Sequence, residues 1–207
     1  MPAVKRTTNL APADRRAQIV AAAKKCMGQV GAKAFTMKHA ADEAGVALSL
    51  VSYHFGNVEG LFNALVETVM LEEPPAKTLP AANLDDALLN LQALIDRHFD
   101  PSYYSRENLL VWLPVYEQTL LNEGVNERLN ARDNRLIEEA VVLIGDVARN
   151  KGLNVDADQI AYDFLALLDG LWLAWCLSDR EDIEQERQSA YRFLEAFLGP
   201  LTLESPA

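Results

Sequence analysis

Apolar residues recur every three or four positions along this chain, and this helical spacing continues from one end of the sequence to the other. The longest stripe contains Leu129, Leu136, Ala140, Ile144 and Val147. No segment alternates apolar and polar residues as an exposed β-strand would. Because 50% of the 207 residues are hydrophobic, the chain can build a sizeable core. The pattern predicts an all-α fold.

Helix start and stop signals divide the chain into nine predicted helices with short connections. Gly31 and Gly45 stand where helix C-termini occur. Gly124 is predicted to precede the long seventh helix, and Ser178 with Glu181 is predicted to form a capping box for the ninth. Prolines at positions 74, 75 and 80 mark a linker. We therefore predict a first domain in residues 1–56, a connecting helix and linker in 57–80, and a second domain in 81–207.

The charge is distributed unevenly between the two ends of the chain. The whole chain carries −11, yet residues 1–60 hold eight Lys and Arg against four Asp and Glu, a net charge of +4. The remaining residues therefore carry −15. A basic end on an acidic body concentrates polyanion binding at that end. A solvated charge run without functional consequence is the alternative.

Several classes of protein find no support in the sequence. No run of eighteen apolar residues or secretory signal is present, so we expect neither a membrane span nor export. Cys26 and Cys176 form no spacing motif and are expected to be free thiols in the cytoplasm. His39, His54 and His98 lack the spacing of a metal site, and nucleophile, P-loop and dinucleotide motifs are missing. We predict no enzyme, metal or cofactor.

Residues 36–61 contain two short predicted helices joined by a turn with Gly45, which is typical of a helix-turn-helix. Such a unit reads DNA by placing its second helix in the major groove. An ordinary pair of antiparallel helices would show a similar turn. The positions predicted to face inward are small or apolar: Ala40, Ala41, Ala44, Val46 and Val51.

The same segment resembles the signature of the TetR family of transcriptional regulators. The resemblance rests on Thr36–Val46 (TMKHAADEAGV), Tyr53–Gly56 (YHFG) and Glu59–Leu61 (EGL), and it covers roughly residues 13–70. It implies a homodimer whose two recognition helices meet successive major grooves of a palindromic operator in double-stranded DNA. Two departures are visible, because Ala47 stands where the family usually has serine or threonine and Val58 where it usually has lysine.

The resemblance also assigns roles to individual residues. It implies that Thr36 caps the second helix or bonds a phosphate, that Tyr53 and His54 contact phosphates, and that Leu48 and Ser49 face base edges. Phe55 would pack inside, while Lys5, Arg6, Arg15 and Arg16 would attract phosphates over a longer range. The predicted DNA-binding set is Arg15, Arg16, Thr36, Lys38, Leu48, Ser49, Ser52, Tyr53 and His54.

The second domain shows a weaker likeness to the BetI-type branch of the same family, at Trp112–Glu117 (WLPVYE) and Leu168–Leu173 (LDGLWL). Aromatic faces beside carboxylates can hold an organic cation. Simple core packing of the aromatics, or a pocket for a neutral or anionic apolar ligand, are alternatives. The predicted pocket consists of Phe99, Tyr103, Trp112, Tyr116, Glu117, Asp169 and Trp172.

The eighth predicted helix is apolar around much of its circumference, so it needs partners on two sides. We predict that it pairs with the ninth helix and with both symmetry mates in a four-helix dimer interface. The predicted interface residues are Leu168, Trp175, Ala190, Phe193 and Phe197.

The predicted function is a ligand-responsive DNA-binding regulator, most simply a repressor that a small effector releases from its operator. The alternative is a dimeric protein that binds a small molecule or another partner and has weak or lost DNA binding, which Ala47 and Val58 motivate.

Overall fold

The computed structural model describes residues 11–71 and 81–202, and these residues form nine helices and no strand. Lys5, Arg6 and the prolines of the predicted linker lie outside the described residues. None of the described helices is both long and apolar enough to span a bilayer. The predicted all-α, nine-helix fold is confirmed. The helices are α1 (Pro12–Val30), α2 (Met37–Ala44), α3 (Leu48–Phe55), α4 (Val58–Leu71), α5 (Leu84–His98), α6 (Arg106–Leu121), α7 (Glu123–Asn150), α8 (Ala157–Cys176) and α9 (Glu184–Leu198).

The helices group into two compact units. The first contains α1 to α4 together with Leu110–Glu117 of α6, and the second contains α5, α7, α8, α9 and the remainder of α6. The fourth helix thus groups with the first three, whereas the predicted domain boundary lies after residue 56. Its apolar side chains Leu61 and Leu65 are fully buried in the first unit, where α4 packs against α1 and α3.

Small residues allow the helices of the first unit to approach closely. Ala40 and Ala44 of α2 are buried, as predicted, and Val51 of α3 is completely inaccessible. The Thr36 hydroxyl accepts a hydrogen bond from the backbone N–H of His39 at 3.2 Å and so caps α2. Gly45 ends α2 at φ 66° and ψ 35°, a left-handed conformation that glycine adopts without strain.

The second unit is built around α7 and α8, which pack against each other, while α5 packs against α7 and α9. Its largest inaccessible side chains include Leu91, Ile95, Ile144, Phe164 and Leu194. These residues come from four helices, so the burial of their apolar surface holds those helices together.

The ninth helix begins five residues later than the predicted capping box requires. Ser178 Oγ donates instead to the carbonyl of Trp175 at 2.8 Å, and α9 starts at Glu184. The Arg106 guanidinium donates to the carbonyls of Ser178 and Arg180 at 2.8 and 2.7 Å. Those carbonyls are therefore held by a side chain from α6, and the segment stays outside any helix. The predicted Ser178–Glu181 capping box is wrong.

The seventh helix also begins earlier than predicted. Asn122 Oδ1 accepts a hydrogen bond from Val125 N at 3.2 Å, so Asn122 is the N-cap and α7 starts at Glu123. Gly124 lies inside the first turn of α7 and does not precede it, because a strong cap sits just upstream of the glycine.

Candidate functional site

The first unit presents one face of α3 to solvent. Leu48, Ser49 and Ser52 are exposed, and Tyr53 is 81% exposed, while Val51 and Phe55 on the opposite side are buried. The outer face of this eight-residue helix therefore carries small polar and aromatic side chains, and a major groove is wide enough to admit an α-helix.

One arginine of α1 lies close to the end of α3. The Arg16 guanidinium lies over the Phe55 ring, 5.0 Å from its centroid. Arg15 Nη1 donates to Gln18 at 2.8 Å. The Tyr53 and His54 rings meet edge to face at 5.3 Å. The cation–π contact holds the positive charge of Arg16 beside the last turn of α3.

The two predicted DNA-binding residues at the start of α2 are partly engaged by the protein itself. Thr36 uses its oxygen lone pair as the cap of α2, and its hydroxyl hydrogen can still be donated. Lys38 Nζ forms an exposed ion pair with Asp42 at 2.8 Å, so its charge is partly neutralised. Lys38 is therefore a weaker candidate than Arg16 for a contact with a phosphate.

The second unit contains a cavity of about 310 Å³ between α7, α8 and the end of α5. Charged and polar groups form one part of its wall, and aliphatic side chains form the rest. The lining residues are His98, Tyr103, Asn130, Arg132, Asp133, Asn134, Leu136, Ile137, Tyr162, Leu165, Ala166 and Asp169.

The charges of this cavity do not balance. Arg132 donates to Asp133 at 3.0 Å and to the Tyr103 hydroxyl at 3.1 Å. Desolvation and the neighbouring Asp133 carboxylate together raise the pKa of Asp169 to about 6, although Arg132 opposes the shift. Burial lowers the pKa of His98 to about 4, so its ring is neutral near pH 7. One arginine faces two carboxylates, and the cavity is net negative.

Two family models match the chain. The model for bacterial regulatory proteins of the tetR family matches residues 19–65, which include α2 and α3. The model for the C-terminal domain of BetI-type transcriptional repressors matches residues 89–199, which include the whole cavity lining. The HTH-type transcriptional regulator BetI of Ectopseudomonas mendocina is 31% identical over 185 residues, which cover 87% of this chain and 92% of that protein. The chain belongs to the TetR family.

Solved structures share the TetR-family fold. A transcriptional regulator from Saccharomonospora viridis in complex with choline aligns with a TM-score of 0.73 at 22% identity, covering 88% of this chain and 96% of that one. A TetR transcription regulator from Haloarcula marismortui aligns with a TM-score of 0.68 at 21% identity, covering 90% and 99%. The predicted family and its BetI-type branch are confirmed, and the chain is a transcriptional regulator.

The predicted pocket residues of this TetR-family chain are not all brought together. Tyr103 and Asp169 line the cavity, but Phe99 stacks on Tyr104 with centroids 4.9 Å apart. The Trp172 ring lies 6.1 Å from that of Tyr103 and is buried outside the lining. The Trp112 and Tyr116 rings belong to the first unit, 5.6 Å apart, and Glu117 there is exposed.

Sequence reasoning missed His98, Arg132, Asp133 and Tyr162 as parts of the cavity wall. An Arg-Asp pair in a long amphipathic helix reads as a solvated charge pair. Arg132 is nevertheless only 7% exposed. A signal that could have found it is its position between the apolar residues Leu129 and Leu136, on the inner half of α7.

Three of the five predicted interface residues lie in the core of their own protomer. Leu168, Trp175 and Ala190 are buried by the helices of the second unit, so their side chains do not face outward. Phe193 stacks on Phe164 with centroids 6.0 Å apart, and Phe197 remains 44% exposed. Any partner surface on α8 must therefore be formed by its other face.

Both departures from the TetR-family pattern are visible at helix N-termini. Ala47 precedes α3 and supplies no side-chain hydrogen bond to it. Val58 is the first residue of α4 and is 46% exposed. A lysine at this position would point into solvent next to the helix-turn-helix surface.

Val58→Lys is expected to tighten DNA binding about equally on all sequences, because it adds one phosphate contact and no base contact. The salt dependence of the affinity should steepen by about one unit in the slope of log K against log salt. A fluorescence-anisotropy titration over a salt series measures both quantities. Leu89→Lys, a substitution on an exposed position of α5, serves as the matched control. Unchanged non-specific affinity at low salt would place residue 58 away from the DNA.

Proposed function

We propose that this regulator is a cytoplasmic homodimer that binds a palindromic operator in double-stranded DNA. A small organic cation releases it from the operator. The observation that carries the proposal is the outward face of α3, Leu48, Ser49, Ser52 and Tyr53, held next to Arg16. Base edges would meet Leu48 and Ser49, while phosphates would meet Arg16, Tyr53 and His54.

A second copy of the chain is expected to cover the exposed face of α8. We call this face the α8 stripe, and its spacing of three to four residues places its members on one side of the helix. Tyr162, Leu173 and Leu177 are exposed, and small residues between them would let a partner helix approach closely. The α8 stripe consists of Tyr162, Ala166, Gly170, Leu173, Ala174 and Leu177.

The cavity is the proposed effector site, because its uncompensated carboxylate suits a positively charged ligand. The choline bound by the regulator from Saccharomonospora viridis, which shares the fold, is in line with this choice. Tyr162, Ala166 and Asp169 of α8 line the cavity, and the first two also belong to the α8 stripe. A ligand that moves α8 would therefore alter the pairing of the two protomers.

Helix α6 contributes residues to both units. Tyr103 lines the cavity, α6 begins three residues later at Arg106, and Leu110–Glu117 of the same helix belong to the first unit. An effector that binds one conformation more tightly than the other shifts their populations in proportion to that difference. The protein leaves the DNA if, in the effector-bound conformation, the distance between the two α3 helices of the dimer does not match the distance between successive major grooves.

Binding to DNA is tested by titrating the protein against the region upstream of its own gene and against unrelated DNA. We expect a selective complex that weakens steeply with salt. Ser52→Glu should lower the affinity about 100-fold, because a carboxylate would face the phosphates at an exposed position of α3.

The control for this substitution is Ala93→Glu, which adds the same charge at an exposed position of α5. It should bind as the unmodified protein does. A folded dimer that forms no complex with either DNA at low salt would favour the alternative, a protein that binds a small molecule or another partner without acting on DNA.

A further inference from the structure

The cavity wall is rich in hydrogen-bond acceptors and poor in aromatic faces. We propose that it selects a small primary or secondary ammonium ion, whose N–H groups donate to Asp169 and His98, over a quaternary ammonium ion. The inference rests on the proposed role of the cavity as the effector site. It narrows the ligand from any organic cation to one that carries N–H donors.

Asp169 is the carboxylate of the cavity wall to which the Arg132 guanidinium does not donate a hydrogen bond. The Arg132 guanidinium is directed to Asp133 and Tyr103 at 3.0 and 3.1 Å. Asp169 forms no hydrogen bond or ion pair with any residue in 11–71 or 81–202. Asp169 lines the cavity, and its carboxylate is thus a charged acceptor for which the protein supplies no donor.

His98 supplies a second acceptor. Its Nδ1 lies 2.9 Å from the Leu94 carbonyl oxygen, so Nδ1 carries the proton and donates. Because burial holds the pKa of the ring at about 4, the ring is neutral near pH 7 and Nε2 keeps its lone pair. His98 lines the cavity, and Nε2 is the nitrogen left to accept from a ligand.

The aromatic part of the wall does not form a cage. Tyr103 and Tyr162 are the aromatic rings of the lining besides His98. The hydroxyl of Tyr103 is already bonded to Arg132. A quaternary ammonium ion has no N–H to donate, so its recognition depends on several enclosing aromatic faces. Trp172 and Trp175, which could have provided them, lie outside the lining.

The test compares n-butylamine, which is protonated near neutral pH, with n-butyltrimethylammonium chloride on the full-length protein by isothermal titration calorimetry. Both probes carry one positive charge and the same alkyl chain, and they differ in N–H donors. The extra methyl groups add apolar surface, so apolar burial alone would favour the quaternary ion. We expect butylammonium to bind about tenfold tighter, the gain from hydrogen bonds to a charged group. Equal or tighter binding of the quaternary ion would overturn the proposal.

Asp169→Asn identifies the carboxylate responsible. Binding of butylammonium should weaken at least about tenfold, whereas Asp163→Asn, at an exposed aspartate of α8 outside the lining, should leave it unchanged. A preference for butylammonium that survives Asp169→Asn undiminished would contradict the assignment.

A stability measurement on the same variant reports whether it remains folded. The pKa of Asp169, about 6 in the fold and above its ordinary value of 3.8, means that the folded protein binds this proton more tightly than the unfolded chain. The ionised carboxylate therefore lowers stability above about pH 6, and this cost fades as the pH falls toward 4. Asp169→Asn should raise the thermal midpoint near pH 8 and leave it unchanged near pH 4.

The DNA titrations separate the two proposals. If neither cation binds while operator binding persists, the ammonium site is refuted and the regulator function stands. If a cation binds as expected but no DNA complex forms, the regulator function fails and the ligand site stands.

Discussion

Replacing Leu173 and Leu177 together by glutamate is expected to convert the dimer into a folded monomer that has lost operator binding. Leu173 is 43% exposed and Leu177 is 75% exposed, so neither change should disturb the protomer core. Four carboxylates would then meet across the twofold axis of a four-helix contact, where a stable dimer would otherwise bury about 2,000 Å² or more. Size-exclusion chromatography with light scattering measures the change in mass.

The loss of operator binding follows from the loss of bivalency. A dimer binds its second half-site intramolecularly, which strengthens binding by about 10²–10⁴-fold over one half-site alone, and the monomer forfeits that gain. Leu89→Glu, at a leucine of α5 that is 51% exposed, provides the control and should remain a dimer with full affinity. A double variant that still elutes as a dimer would show that the α8 stripe is not the interface.

Gly60→Ala is expected to disrupt the contact between the two helices that follow the turn of the helix-turn-helix, α3 and α4. A Cβ atom at this position would lie 2.1 Å from the carbonyl oxygen of Phe55, and a backbone atom cannot rotate away. The end of α3 would have to separate from the start of α4. We expect a loss of about 3 kcal/mol in the free energy of unfolding, the upper part of the range for overpacking.

We also expect a large loss of DNA affinity, because Phe55, whose carbonyl oxygen would be displaced, is the last residue of α3. Urea denaturation and anisotropy titration provide the two measurements. The control is Gly145→Ala in α7, where the nearest atom to an added Cβ is Arg149 Nη2 at 3.9 Å. That variant should gain about 0.5–1 kcal/mol, because alanine favours the helix interior. Equal behaviour of the two variants would mean that α3 and α4 are not held in close contact.

Local chemistry explains why the helix-turn-helix could be predicted so closely. Thr36 caps α2 and Gly45 ends it, and both effects depend on a few neighbouring residues. The predicted inward positions Ala40, Ala44 and Val51 are buried because a helix of fixed period places them on one face. Asn83, Asn57 and Asp156 likewise accept hydrogen bonds from N–H groups three residues ahead, at 2.9, 2.9 and 3.1 Å.

The candidate effector site could be predicted only in part, because its members are distant in sequence. Tyr103 and Asp169 were identified from aromatic and acidic composition, but composition does not tell which aromatic residues share a wall. His98, Arg132 and Tyr162 come from three helices, and they line one cavity because those helices pack around it. The sequence of α8 is likewise apolar around much of the helix, which predicts burial on two sides. It does not tell which side is buried within the protomer and which is left for a partner.

The amino-acid sequence alone determined the all-α fold, the ends of most helices and the exposed face of α3, since these depend on periodicity and on hydrogen bonds between near neighbours. Tertiary structure decided the rest. Packing of the helices buries Leu168, Trp175 and Ala190 within the protomer and leaves the α8 stripe exposed. The carbonyls of Ser178 and Arg180 accept hydrogen bonds from Arg106, and this segment does not form the predicted start of a helix. The physical reason is that burial, desolvation and long-range hydrogen bonds depend on which helices meet, and residue spacing within one helix does not specify its neighbours.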